Sequence, residues 1–148
     1  MPEKLLNEDI SAQVKEVFNQ LDQPVQILYF GAQIDCEYCP DTLALAQEVV
    51  KLSDKLALSI YDIDEHADIA QQYQVDKTPA LVIAGRQGDQ IVDFGIRYAG
   101  IPAGHEFSSL IHDMLLVSGR DSGLAEETRD FLRSLDQPVL LQVFVTPT

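Results

Sequence analysis

The sequence predicts an α/β domain with a mixed central sheet flanked by helices, and three observations carry the prediction. An apolar run, Val25-Gln26-Ile27-Leu28-Tyr29-Phe30, leads across a short loop to Cys36-Glu37-Tyr38-Cys39-Pro40 and then to a helical pattern. Strand-like and helix-like stretches alternate, which is what parallel strands joined by helical crossovers require. Further on, two extended runs flank a glycine-bearing break at Gly85 to Gly88, the mark of an antiparallel hairpin.

Each element follows from residue spacing. Ile10, Val14, Val17, Phe18 and Leu21 recur at helical intervals behind Asn7, a good cap, with Glu8 and Asp9 in the first turn where the helix dipole favours negative charge. This helix is expected to end near Leu21, before the breaker Asp22-Gln23-Pro24. The run from Val25 to Phe30 is apolar almost throughout, as in a central strand buried on both faces. Pro40, Leu43, Ala46, Val49 and Val50 outline the next helix, with proline in the first turn, where its missing N–H does no harm. Leu56, Leu58 and Ile60 alternate as a strand does, and Asp62-Ile63-Asp64 opens a helical stretch through Ile69, Ala70 and Tyr73. After Thr78-Pro79 come the hairpin strands, Ala80 to Ile83 and Ile91 to Ile96. The last helix of the unit spans Gly104 to Val117, burying Phe107, Leu110, Ile111, Met114 and Leu115.

Residues 1–117 thus form one unit, and 118–123, polar and bearing glycine, read as a linker. The carboxy-terminal stretch is a partial copy of the amino terminus: Leu21-Asp22-Gln23-Pro24-Val25 recurs as Leu135-Asp136-Gln137-Pro138-Val139, again between an amphipathic helix and an apolar run. Residues 124–148 are therefore expected to be the first helix and strand of a second, truncated unit, whose strand Val139 to Val145 offers a sheet-edge contact for a homodimer.

Composition narrows the function. With 46% hydrophobic residues in 148, the chain can bury a full core. Its formal net charge of −14 argues against nucleic acid and anionic membranes, which attract clustered Lys and Arg. Met1 to Leu6 is followed at once by Asn7, Glu8 and Asp9, so no signal peptide or spanning helix is expected, and a cytoplasmic location is inferred. Two cysteines in such a compartment read as catalytic or metal-binding rather than as a structural framework.

Cys36 and Cys39, two residues apart at a helix start, can close a small disulfide ring. Free backbone N–H groups and the helix dipole stabilise a thiolate there, which makes Cys36 the nucleophile and Cys39, further in, the cysteine that resolves the mixed disulfide. Glu37 opposes the effect, because a neighbouring negative charge disfavours the thiolate. Half of a zinc site is the plain alternative, but His66, His105 and His112 show no paired ligand spacing, so no metal and no cofactor are assigned. His105 reads as a surface or capping residue.

These residues, together with Tyr61-Asp62-Ile63-Asp64, Lys77-Thr78-Pro79-Ala80, the segment from Phe94 to Phe107 and the terminal Val143 to Thr148, resemble the amino-terminal unit of the protein disulfide oxidoreductases. Those are glutaredoxin-like proteins with tandem thioredoxin folds. The resemblance covers essentially the whole chain and implies a thioredoxin fold and thiol-disulfide exchange on protein disulfides. It implies too that Pro79 is cis and faces the cysteines, leaving the Thr78 backbone free to bond a substrate chain. Gly100 would match a glycine that lets substrate approach, and Tyr38 would form part of the rim. Thioredoxin keeps a buried acid on its central strand, whereas Tyr29-Phe30 reads as apolar here. Implied partners are disulfide-containing proteins and a thioredoxin-reductase-like or thiol reductant. Two other readings stay open: an electron-relay domain for a peroxiredoxin system, and a non-catalytic module that only binds substrate.

Overall fold

The computed structural model describes residues 4–146. Residues 1–3, and Pro147 and Thr148 of the resembling terminal segment, lie outside the described residues.

Helix α1, Glu8–Val17, is capped as expected: the Asn7 side-chain oxygen accepts the Ile10 N–H at 2.8 Å. A single 3-10 turn, Phe18–Gln20, finishes it at Leu21. Strand β1, Val25–Gly31, is buried at every position. It pairs in parallel with β2, Leu56–Asp62, and antiparallel with β3, Ala80–Gln87, which pairs in turn with β4, Gln90–Ala99. The order β2-β1-β3-β4 makes β1 an interior strand, and this is why its sequence is apolar on both faces. Val25, Ile27 and Tyr29 join the core cluster that also holds residues of α1, of α2 (Cys39–Val50) and of α4 (His105–Gly119). Leu28 and Phe30 point the other way, into a second cluster with Ala70 and Tyr73 from and beside α3, Ala67–Gln72. Gln26, the polar exception, is buried with its amide donating to Ser59 Oγ at 2.9 Å. Among the described residues no helix is long and apolar enough to cross a membrane.

Four expectations are corrected. First, the break at Gly85 to Gly88 is narrower than the sequence suggests: β3 runs on to Gln87, Gly85 pairs with Val92, and only Gly88 and Asp89 turn. Gly85 is small for a different reason, since a Cβ there would lie 2.6 Å from the Arg120 guanidinium carbon. Second, Asp62 to Asp64 does not open a helix. The Asp62 carboxylate accepts the N–H groups of Asp64 and Glu65 at 2.9 and 3.1 Å, which holds a turn, and α3 begins only at Ala67.

Third, the helix expected to end at Val117 runs further. Helix α4 continues to Gly119, and Ser118, expected in the linker, is buried: its Oγ accepts the Asp22 N–H at 2.7 Å and donates to the Gln23 carbonyl at 2.8 Å. Arg120 caps the helix in a left-handed conformation and donates to the carbonyls of Val117, Pro24 and Arg86. Partners far away in sequence, not local composition, hold this helix end. A Ser118→Ala variant leaves the Asp22 N–H without its partner and is expected to cost about 1–3 kcal/mol in urea unfolding. An unchanged midpoint would remove Ser118 from the fold's supports.

Fourth, α5, Glu126–Arg133, forms as expected, but the strand from Val139 to Val145 does not. Val139, Leu140, Leu141, Val143 and Phe144 are exposed. A strand is defined by a neighbour's N–H and C=O groups, and these residues lie along no sheet edge among the described residues.

Candidate active site

Strand β1 delivers the chain at Gly31 into the loop that carries the cysteines. Helix α2 begins at Cys39 itself, with Pro40 in its first turn and Tyr38, half exposed, at the cap position. Cys36 therefore lies in the turn before the helix rather than on its first turn, and Cys39 heads the helix instead of sitting inside it. The reason is local: the Tyr38 carbonyl takes both the Thr42 N–H at 3.0 Å and the Thr42 hydroxyl at 2.7 Å, which starts the helical ladder there. Cys36 and Cys39 are joined as a disulfide, with Cα atoms 5.4 Å apart. Their environments differ, since Cys36 is partly exposed and Cys39 is 4% exposed.

Three contacts hold Cys39. Its N–H meets the Cys36 carbonyl at 3.4 Å, its Sγ accepts the Ala32 N–H at 3.4 Å, and its carbonyl accepts the Tyr29 hydroxyl at 3.0 Å. Reading Tyr29-Phe30 as apolar thus missed a buried hydroxyl aimed at the cysteine helix. A phenol in a strand buried throughout, two residues before a glycine, was the available signal. Burial first, and the charge of Asp62 second, push the Tyr29 hydroxyl above its usual pKa, so it stays a donor. Asp62 itself is held below the usual carboxylate range by the backbone N–H groups of Glu65 and Asp64.

The other candidate residues adjoin the ends of β3 and β4. The Thr78-Pro79 peptide bond is cis. Phe30 is in register with Ala80, and Ala80 with Ala99, so Pro79 and Gly100 flank the strand ends from which β1 enters the cysteine loop. The Gly100 N–H donates to the Pro79 carbonyl at 2.8 Å, and Gly100 has φ +100°, a conformation that L side chains rarely adopt. The space around its missing Cβ is open. Thr78 is partly buried. Cys36, Tyr38, Cys39, Thr78, Pro79 and Gly100 are thus gathered at one end of the sheet although they lie far apart in sequence. His105, by contrast, is an exposed residue at the start of α4. Among the described residues no three His, Cys, Asp or Glu side chains are grouped to hold a metal.

Comparison with known proteins places this arrangement. The family described as "Thioredoxin domain" matches residues 24–111, more than half of the chain. Over 89% of its length the chain is 28% identical to the alkyl hydroperoxide reductase AhpF of Pseudomonas aeruginosa, of which it spans 22%. The crystal structure of a protein disulfide oxidoreductase from Aeropyrum pernix superposes with a TM-score of 0.75 at 28% identity, covering 87% of this chain and 55% of that one. A domain of alkylhydroperoxide reductase AhpF from Enterococcus faecalis gives a TM-score of 0.74 at 25% identity, covering 84% and 58%. The chain therefore belongs to the thioredoxin domain family, and it carries the Cys-x-x-Cys pair closed as a disulfide.

Proposed function

We propose that this domain, with its Cys36–Cys39 ring opened to the dithiol, exchanges with the disulfides of other proteins. The observation that carries the reading is the asymmetry of the pair: a partly exposed Cys36 in the turn ahead of α2, bonded to a buried Cys39 at the helix head. In the reducing direction the Cys36 thiolate attacks one sulfur of a substrate disulfide, forming a mixed disulfide and releasing the other sulfur as a thiolate that takes up a proton. Cys39, as its thiolate, then attacks Cys36 Sγ, breaks the mixed disulfide and frees the second substrate thiol. The substrate gains two electrons and two protons, and the domain is left oxidised. A dithiol reductant reverses the sequence on the domain.

The Thr78 backbone and Pro79 would border the substrate chain, with Tyr38 on the rim and Gly100 leaving room for approach; their position at the same sheet end supports this. The partner in the reducing direction is a reductase or thiol donor, and a cytoplasmic setting suits a dithiol that must be kept reduced. A second reading, electron relay to a peroxiredoxin, is favoured by the similarity to the alkyl hydroperoxide reductase AhpF. Residues 124–148 fit the opening of a second unit, on the strength of the repeated Leu135 to Val139 and of α5.

The test is reduction of insulin disulfides by dithiothreitol with the domain, with a Cys36→Ser variant, and with a chain cut after Ser122. Acceleration by the domain and by the cut chain, lost in Cys36→Ser, is the expected result. Acceleration that survives Cys36→Ser would remove Cys36 as nucleophile, and turnover of a peroxiredoxin but not insulin would favour the relay. Loss of rate in the cut chain would tie the tail to the active site instead of to a second unit.

A further inference from the structure

We infer that Tyr29 is a positioning residue for the resolving cysteine: its hydroxyl holds the backbone of Cys39 so that the reduced Cys39 sulfur stays on the Ala32 N–H. The inference rests on the exchange reading above and concerns one half of it, the fate of Cys39 when the ring is open.

In the oxidised domain the S–S bond itself holds Cys39. Reduction breaks that bond, two electrons and two protons enter, and Cys39 then keeps its place only through non-covalent ties. At 4% exposure it has little access to water, so a thiolate formed there depends on protein donors. The Ala32 N–H at 3.4 Å is such a donor. The Tyr29 hydroxyl grips the same residue at its carbonyl, at 3.0 Å. Tyr29 and Ala32 belong to the same run of chain, at and just beyond the end of β1, so strand and helix head are joined at two points of one residue.

Gly31, between the two, supplies the space. Its backbone is not left-handed, so it is not glycine for conformational reasons; a Cβ there would lie 2.2 Å from the Tyr29 hydroxyl oxygen and 2.7 Å from Cζ. Any side chain at position 31 must displace the phenol. Room for Tyr29 against the cysteine helix is what this glycine provides. Tyr29 is 5% exposed and packs among Leu45, Ala46 and Leu81 in the cluster that seats α2, so the ring itself is fixed. Only the hydroxyl is left to act on Cys39.

Removing the hydroxyl therefore weakens the reduced form more than the oxidised one. The experiment equilibrates the full chain, as Tyr29→Phe, as Gly31→Ala and unsubstituted, with reduced and oxidised glutathione. Two glutathione thiols give two electrons and two protons to the ring and become one disulfide, and the reduced fraction is read by thiol alkylation. Both variants are expected to shift the equilibrium toward the closed ring by about fivefold, which is a fall of about 20 mV for a two-electron couple. Thermal unfolding of each variant in both redox states accompanies the measurement. A core tyrosine with no part in redox positioning predicts equal destabilisation of both states and an unmoved potential, and that outcome in Tyr29→Phe overturns the proposal. A shift in Tyr29→Phe with none in Gly31→Ala overturns the role of the glycine. The outcome is separable from the exchange reading: insulin reduction that depends on Cys36, with an unmoved potential in Tyr29→Phe, sinks this inference alone.

Discussion

Replacing Cys39 by serine is expected to trap the domain on its substrate. With Cys36 intact the first attack proceeds, but the mixed disulfide loses the intramolecular thiolate that opens it. Cys39 lies a single turn of chain from Cys36, with its N–H on the Cys36 carbonyl, so in the unsubstituted domain the resolving sulfur is held at a high effective concentration. Only external thiols remain in the variant, and the lifetime of the mixed disulfide should rise on the order of a hundredfold or more. Incubation of Cys39→Ser with a disulfide-bearing protein, followed by non-reducing electrophoresis, should give a covalent adduct that dithiothreitol removes. The reciprocal Cys36→Ser should give none, because the sulfur it leaves is buried. Equal adducts from both variants would contradict the assignment of nucleophile and resolver.

The second large effect concerns the fold that carries the site. Phe30 is fully buried in the central strand, its ring 5.2 Å from that of Tyr61 and 6.5 Å from that of Tyr73. Truncation to alanine removes an aromatic ring from between β1 and α3 and leaves a cavity that the sheet cannot close, at a cost of about 3–5 kcal/mol. Urea unfolding should show a lower midpoint with an unchanged slope. Because side chains alternate along a strand, Phe30 faces away from the layer in which Tyr29 meets Cys39. The variant should therefore still form the Cys36–Cys39 ring at low temperature, with stability and redox chemistry parting company. A loss under about 1 kcal/mol would mean the second core is much looser than its burial indicates.

Much of this site is legible in the sequence where the chemistry is local. Cys-x-x-Cys followed by proline needs only the geometry of one helix start, so residues 36 to 40 declare both the ring and the element that carries it. Asn7 declares its cap and β1 its central place in the same way, from the residues themselves. Tyr29 shows where such reading fails. On a strand, a tyrosine is as good a core residue as a phenylalanine, and nothing within the strand says that its hydroxyl will find the carbonyl of Cys39. Gly85 and Ser118 fail alike: one looks like a turn residue and the other like a linker residue until Arg120 and the Asp22-Gln23 backbone are brought beside them.

The sequence by itself thus determined the element order, the layered α/β class and the pair of cysteines at the head of a helix. These rest on hydrophobic periods, caps and motif spacing, which act between residues a few positions apart. Tertiary structure alone decided which groups converge on the pair. The register of Phe30 with Ala80, and of Ala80 with Ala99, brings Pro79 and Gly100 to the cysteine end, and pairing β1 with β2 sets Asp62 beside Gly31. The same packing leaves the apolar run from Val139 without a strand, because a strand requires a neighbour's hydrogen bonds and no residue pattern can supply them.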